Sequence, residues 1–221
     1  MQDPAADQDT QLVDRVKAGD RSAFELLMRR HNQRLFRAIR SVLRNDAEVE
    51  DVMQDAYCAA FVHLDQFQGR AKFSTWLLRI GVNEALGRLR RQRTIAIDDL
   101  SLVQGARMQN QSTPSETPEQ QLSGREMAVL VEKALDRLPI EYRSVFVLRV
   151  IESLDTAESA EVLGLSEAAV KQRLHRAREM LQSHLATQLD AALPNTYAFL
   201  GPRCDRLVAN VMAKLAERPS P

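Results

Sequence analysis

Apolar residues in this chain recur every three or four positions, and no stretch of useful length alternates apolar with polar residues as a half-buried strand would. That periodicity confines the fold to helices. Leu12, Val13, Val16, Phe24, Leu27, Leu35, Ile39, Val42 and Leu43 mostly keep helical spacing, with a break at Gly19-Asp20 where Asp20 can act as N-cap. This stretch reads as two helices. Asp46 can cap a third, with Val49, Val52, Met53, Ala56, Ala60, Phe61 and Leu64 on one stripe and Glu50, Asp51, Gln54 and Asp55 on another side. "DQFQGRAKFST" reads as a loop broken at Gly69, and "TWLLRIGVNEALGRLRRQR" as a further helix.

Sustained periodicity is absent from residues 94–121, which become rich in Gln, Ser, Thr and Pro towards their end and read as an extended linker. Helical patterning resumes near Leu122, runs to Leu138, and restarts after Pro139, a residue suited to the first turn of a helix. Asp155 and Glu158 have the spacing of a capping box; the short helix they start ends near Leu163-Gly164, and Ser166 can cap the next. Two helices around a Gly-containing turn of this length make a helix-turn-helix. The expected fold is all-α, with helical domains over 9–93 and 122–186, a flexible linker over 94–121, and a helical C-terminal extension over 187–221.

At 221 residues the chain can form two small domains, and 44% hydrophobic content can fill their cores. Formal charge sums to zero but is segregated. Asp46, Glu48, Glu50, Asp51 and Asp55 form an acidic block; Arg70, Lys72, Arg79, Arg88, Arg90, Arg91 and Arg93 form a basic one. A neutral total therefore leaves a polyanionic partner open. Cys58 and Cys204 lie far apart with no CxxC pairing, and no HExxH occurs, so neither a zinc site nor a disulfide framework is expected. Nor do His31, His63, His175, His184 and the cysteines make a convergent catalytic or metal-binding set, so no cofactor is expected either. The acidic start "MQDPAADQDT" lacks the features of a signal peptide, and no window approaches a membrane-spanning run. A cytoplasmic protein without membrane insertion is the expectation.

In the helix after Ser166, Val170, Leu174, Ala177 and Leu181 share an inward stripe, leaving Lys171, Gln172, His175, Arg176 and Arg178 towards the outside. A major groove admits an α-helix, where Lys and Arg neutralise phosphates and Gln, Lys and Arg reach base edges. Ala168 and Ala169 are small enough for close approach near the helix start. On these residues alone, a solvated basic face is an equal alternative.

Residues 46–93, "DAEVEDVMQDAYCAAFVHLDQFQGRAKFSTWLLRIGVNEALGRLRRQR", resemble region 2 of the extracytoplasmic-function sigma factors of bacterial RNA polymerase, within the sigma-70 family. Residues 138–181, "LPIEYRSVFVLRVIESLDTAESAEVLGLSEAAVKQRLHRAREML", resemble their region 4. The resemblance spans about Gln11 to Leu185 in the family's order. It implies a sigma factor, not an enzyme, that binds core RNA polymerase and directs promoter-specific initiation in a stress or envelope response. A stand-alone helix-turn-helix regulator would account for residues 155–181 but leaves the acidic helix and the basic Trp76 region unexplained.

The resemblance also implies roles. Glu50, Asp51, Gln54 and Asp55 would contact the clamp helices of the largest catalytic subunit, with the flap region a further polymerase contact. A solvated acidic face is the alternative. Lys72, Phe73, Ser74, Trp76, Arg79 and Asn83 would capture bases and backbone of the melted minus ten element, while Arg70, Arg88, Arg90, Arg91 and Arg93 chiefly meet phosphates. Phe73 and Trp76 have core anchoring as an alternative, for Trp76 an equally strong one. Gly87 is a poor helix residue where the family often has a polar one. For duplex at the minus thirty-five element the readers would be Ala168, Lys171, Gln172, His175 and Arg176, with Arg149 and Arg173 on phosphates. Promoter DNA, double- and single-stranded, is thus a partner, and family members are commonly restrained by an anti-sigma factor.

Asp98, Asp99, Glu116 and Glu119 make the linker mildly acidic, compatible with threading a polymerase channel as in the family or with a passive tether. Beyond region 4, "GPRCDRLVANVMAKLAERP" carries an apolar stripe of Leu207, Val208, Val211, Met212 and Leu215, with Asp205 near the start and Lys214 and Arg218 near the end of the expected helix. Such a helix needs a surface to dock on, be it region 4, region 2 or another protein, and a tail of this kind can carry regulation. Cys204 is either a small buried residue or a redox sensor.

Overall fold

The computed structural model describes residues 4–98, 120–183 and 201–216, and among these it contains helices and no strand. Helix α1 (Pro4–Lys17) begins well before Leu12. It stops at Gly19, whose φ of +96° suits glycine, and Asp20 then caps α2 (Arg21–Arg40) by accepting from the Ser22 and Ala23 amides. The cap of α3 (Asp46–Val62) differs from expectation. Asn45 Oδ1 accepts from the Ala47 and Glu48 amides at 2.9 and 3.3 Å, which leaves Asp46 inside the first turn to pair with Arg40 at 3.0 Å.

A 3₁₀ turn (Leu64–Gln66) and the loop around Gly69 lead to α4 (Phe73–Asp98). The helix takes in residues 94–98, which periodicity assigns to the linker, because a backbone already helical propagates at little cost. The linker acids from Asp99 through Glu119 lie outside the described residues, and at the far end α5 (Gln120–Arg137) already begins at Gln120. Pro139 stands at the N-cap of α6 (Ile140–Phe146), one place before the first turn. A π-helical turn (Val147–Ile151) follows, then α7 (Thr156–Leu163), α8 (Glu167–Gln182) and, in the extension, α9 (Pro202–Ala216).

Helices α1 to α4 enclose Phe24, Leu27, Met28, Leu35, Tyr57, Phe61, Leu77 and Val82, all fully buried. Gly81 permits the close approach of α4 to α2, since a Cβ there would lie 2.5 Å from Leu35 Cδ1. In the second domain Val145, Ala160 and Val170 knit α6, α7 and α8 together.

The two domains are in direct contact. Helix α7 packs on α4. Glu152, after the π turn, receives Arg34 and Arg37 of α2 at 3.0 and 3.2 Å, and Arg40 meets Asp136 of α5 at 2.7 Å. Arg143 of α6 caps the end of α2, donating to the Ser41 and Val42 carbonyls at 2.7 and 3.1 Å. One apolar core runs through both domains and into α9, which lies across α2 and α3.

Candidate polymerase and nucleic-acid interfaces

The helix-turn-helix is built as its sequence reads. Asp155 and Glu158 form a capping box, Gly164 closes α7 in the left-handed conformation at φ +63°, and the Ser166 hydroxyl accepts from the Ala169 amide at 3.2 Å. Val170, Ala177 and Leu181 are buried and Leu174 half-buried, so the stripe faces inward. Ala168, Lys171, Gln172, His175 and Arg176 consequently share an exposed side of α8, and Arg173 is half-exposed beside them. Glu179 draws on His175 at 3.2 Å and Arg176 at 2.9 Å, orienting two of the candidate readers. Arg149 is placed differently: its guanidinium donates to the Leu154 carbonyl and secures the turn before α7.

On α4 the candidates divide. Phe73 is 2% exposed, its ring 5.7 Å from Phe67 and 5.4 Å from His31, and Ser74 is buried with it. Both belong to the core, so neither meets a base in this conformation. Trp76 is half-buried, stacked at a tilt against Phe67 and Phe73 with centroids 5.4 and 5.8 Å away. The core contact is thus present, and part of the residue stays accessible to solvent. Arg70, Lys72, Asn83, Arg90 and Arg91 are exposed, and Arg79 and Arg88 partly so; the side chain of Arg93 lies outside the described residues.

Several of these cations have acidic partners within the chain. Lys72 lies 3.2 Å from Glu158 and Arg79 lies 3.0 Å from Glu161, so two carboxylates of α7 sit where the minus ten candidates are. Arg88 pairs with Asp51 of α3 at 3.3 Å. The signal that would have found the α7 contact is the spacing of Glu158 and Glu161, which puts both on one helical side.

On α3, Glu50 and Gln54 are one turn apart and half-buried, while Asp51 and Asp55 form an exposed row next to them. Arg203 of α9 donates to Glu50 at 2.9 Å and lies 3.4 Å from Asp46; Arg206 is 3.3 Å from Glu50. Nothing in the local pattern marks these two arginines, which stand just before the apolar stripe, because their partners lie on α3. Leu207, Val208, Val211 and Leu215 of that stripe are buried, which places α9 on region 2; Arg218 lies outside the described residues.

No group of His, Cys, Asp and Glu able to hold a metal occurs among the described residues, and none of their helices is long and apolar enough to cross a membrane.

Comparison with known proteins agrees with this layout. The family model for sigma-70 region 2 matches residues 27–95 and that for sigma-70 region 4 matches residues 128–181. The ECF RNA polymerase sigma factor SigW of Bacillus subtilis is 32% identical over 78% of this chain and 94% of its own length. The RNA polymerase sigma factor CnrH of Cupriavidus metallidurans is 36% identical over 81% of this chain and 95% of its own. A solved structure of CnrH in complex with the cytosolic domain of CnrY superposes with a TM-score of 0.55 at 30% identity, covering 80% of this chain and 96% of that one. The sigma factor RpoE of Bartonella quintana, solved with the anti-sigma factor NepR, shares the fold at a TM-score of 0.58 and 21% identity, over 74% of this chain and 94% of its own. With both regions matched in order and relatives aligned over nearly their full length, the chain belongs to the ECF sigma factors of the sigma-70 family.

Proposed function

We propose that this sigma factor recruits core RNA polymerase through Glu50, Asp51, Gln54 and Asp55, captures the melted minus ten strand with α4, and grips minus thirty-five duplex with α8. The domain division proposed with it gives residues 9–93 the first two tasks, 122–186 the third and 187–221 the extension, with the linker of 94–121 shortened at its two ends by α4, which runs to Asp98, and α5, which starts at Gln120. The observation that carries the reading is the separation of chemistries on one chain, an acidic row on α3 against cationic sides on α4 and α8. Acidic carboxylates select a basic protein partner, whereas Lys and Arg rows release counterions from a polyanion.

On α4 and in the loop just before it, Lys72, Trp76, Arg79 and Asn83 supply stacking and polar contact to splayed bases; Arg70, Arg88, Arg90 and Arg91 hold phosphates. On α8, Lys171, Gln172, His175 and Arg176 face base edges around the small Ala168, and Arg173 meets phosphate. Because Lys72 and Arg79 are engaged by α7, capture of the minus ten strand requires the two domains to part. The protein acts by binding in the cytoplasm, with no chemical step of its own. CnrH is solved with the cytosolic domain of CnrY and RpoE with the anti-sigma factor NepR, and an anti-sigma partner belongs to the proposal for this chain as well.

The test is transcription in vitro with sigma-free core polymerase on a randomised promoter library. Start-site selection with two conserved elements is expected; a chain that binds DNA but forms no holoenzyme would instead be a stand-alone regulator. Lys171→Ala and Arg176→Ala should each cost about 1–3 kcal/mol of duplex affinity, concentrated at particular base positions.

A further inference from the structure

We infer that α9 is an intramolecular competitor for the face of α3 that receives core polymerase. The inference rests on the docking role proposed for Glu50, Asp51, Gln54 and Asp55 and adds to it a second, built-in occupant.

The contacts are specific. Both carboxylate oxygens of Glu50 are taken by α9, Oε1 by Arg203 at 2.9 Å and Oε2 by Arg206 at 3.3 Å. The Arg203 guanidinium also stands 4.8 Å from the Phe36 ring centroid and 3.4 Å from Asp46. Asp205 pairs with Arg29 at 2.7 Å, and the Asn32 amide donates to Cys204 Sγ at 2.9 Å. Polar contacts from consecutive residues 203 to 206 therefore fix the register of α9, while Leu207, Val208, Val211 and Leu215 supply the buried area. A basic polymerase surface and the α9 arginines offer the same chemistry to the same carboxylate. Glu50 cannot serve both.

The arrangement is suited to exchange. Ion pairs at the surface contribute little each, and a helix as short as α9 is marginal once it leaves its docking face. Asp51, paired with Arg88 at 3.3 Å, and Asp55 both stay exposed when α9 is docked, so a basic partner has a foothold beside the occupied Glu50. Tethering raises the local concentration of α9 to the order of millimolar without new contacts. If α9 is docked about 99% of the time, apparent affinity for polymerase falls about 100-fold.

The experiment measures binding of labelled full-length chain to core polymerase, in wild type and two tail variants, with hydrogen exchange of residues 202–216 followed in parallel. Arg203→Glu with Arg206→Glu sets like charges against Glu50; Leu207→Asn with Val211→Asn removes apolar burial without changing charge. Both variants should lose protection in α9 and bind core about ten-fold or more tighter. Unchanged or weaker binding after α9 has lost protection in both overturns the inference and leaves the sigma-factor reading intact. If no form of the chain binds core polymerase, the docking role itself fails and the inference with it.

Discussion

Arg143, 2% exposed on α6, donates from Nε to the carbonyl oxygen of Ser41 at 2.7 Å and so ties the second domain to the end of α2. The last carbonyls of a helix have no partner within it, and here the fork of one guanidinium serves both Ser41 and Val42. Asp136 lies 3.9 Å from the same group, while both its oxygens accept from Arg40 at 2.8 and 2.7 Å. Arg143→Met keeps an apolar stem of similar length but leaves two carbonyls without donors. Unfolding in urea should show a loss of about 2–4 kcal/mol, with the two domains beginning to unfold in separate steps. A single transition with unchanged midpoint would refute the interdomain role.

A second prediction concerns acid. Burial works against a charged Asp9, but the bonds from His31 at 2.8 Å and Arg30 at 2.6 Å outweigh it and hold its pKa below the ordinary carboxylate value of 3.8. Asp20 is held at about 2, first by the Ser22 hydroxyl and then by Arg15. For groups depressed in the folded state, the unfolded chain binds protons first. Their stabilisation is complete above the unfolded value and fades as pH falls through the folded one. The chain with Asp9→Asn and Asp20→Asn should therefore lose less of its urea midpoint between pH of about 5 and about 2.5 than wild type does. Equal losses in the two would show that these carboxylates do not couple folding to acid.

Local features of the fold were legible because their causes are local. The Gly19-Asp20 break, the Asp155 and Glu158 capping box, Gly164 and Ser166 each act within a few residues, and all stand where the pattern puts them. The inward stripe of α8 follows from spacing alone, which is why its exposed cationic side was legible too. What escaped depends on residues distant in sequence. Asn45 and Asp46 are both competent caps, and Arg40 decides between them by engaging Asp46. Core anchoring of Phe73 is one of two readings its sequence allows, and His31 on α2 and the packing of α4 against α1 and α2, which no window around residue 73 contains, decide for it. The docking of α9 on α3, more than 150 positions away, is of the same kind.

Two glycines of α4 make opposite predictions. At Gly87 a Cβ would meet only the Arg91 guanidinium, at an ordinary 3.6 Å, so Gly87→Ala should gain about 1 kcal/mol from helix propensity. At Gly81 the same methyl would sit 2.5 Å from Leu35 Cδ1 and 3.1 Å from Ile39 Cδ1. Both neighbours are fully buried, leaving little room to yield, and Gly81→Ala should cost about 1–3 kcal/mol despite better propensity. Thermal or urea unfolding of the pair reads the difference directly. A stabilised Gly81→Ala would mean that α2 and α4 are less closely packed than they stand here.

The neighbouring aromatics of α4 separate stability from DNA capture. Phe73 is enclosed by Phe67, His31 and Trp76, and Phe73→Ala should cost about 3–5 kcal/mol through the cavity it leaves. Phe73→Leu, which retains most of the volume, should leave strand binding unchanged. Trp76 keeps part of its ring accessible, so Trp76→Ala should cost less stability than Phe73→Ala and should weaken holoenzyme binding to a single-stranded minus ten oligonucleotide by about 1–3 kcal/mol. Fluorescence anisotropy with a labelled oligonucleotide measures that loss, and urea unfolding measures the other. Should Trp76→Ala bind the strand as well as wild type while Phe73→Leu does not, the base-stacking role passes from the half-exposed ring to the buried one, and α4 must rearrange when the strand arrives.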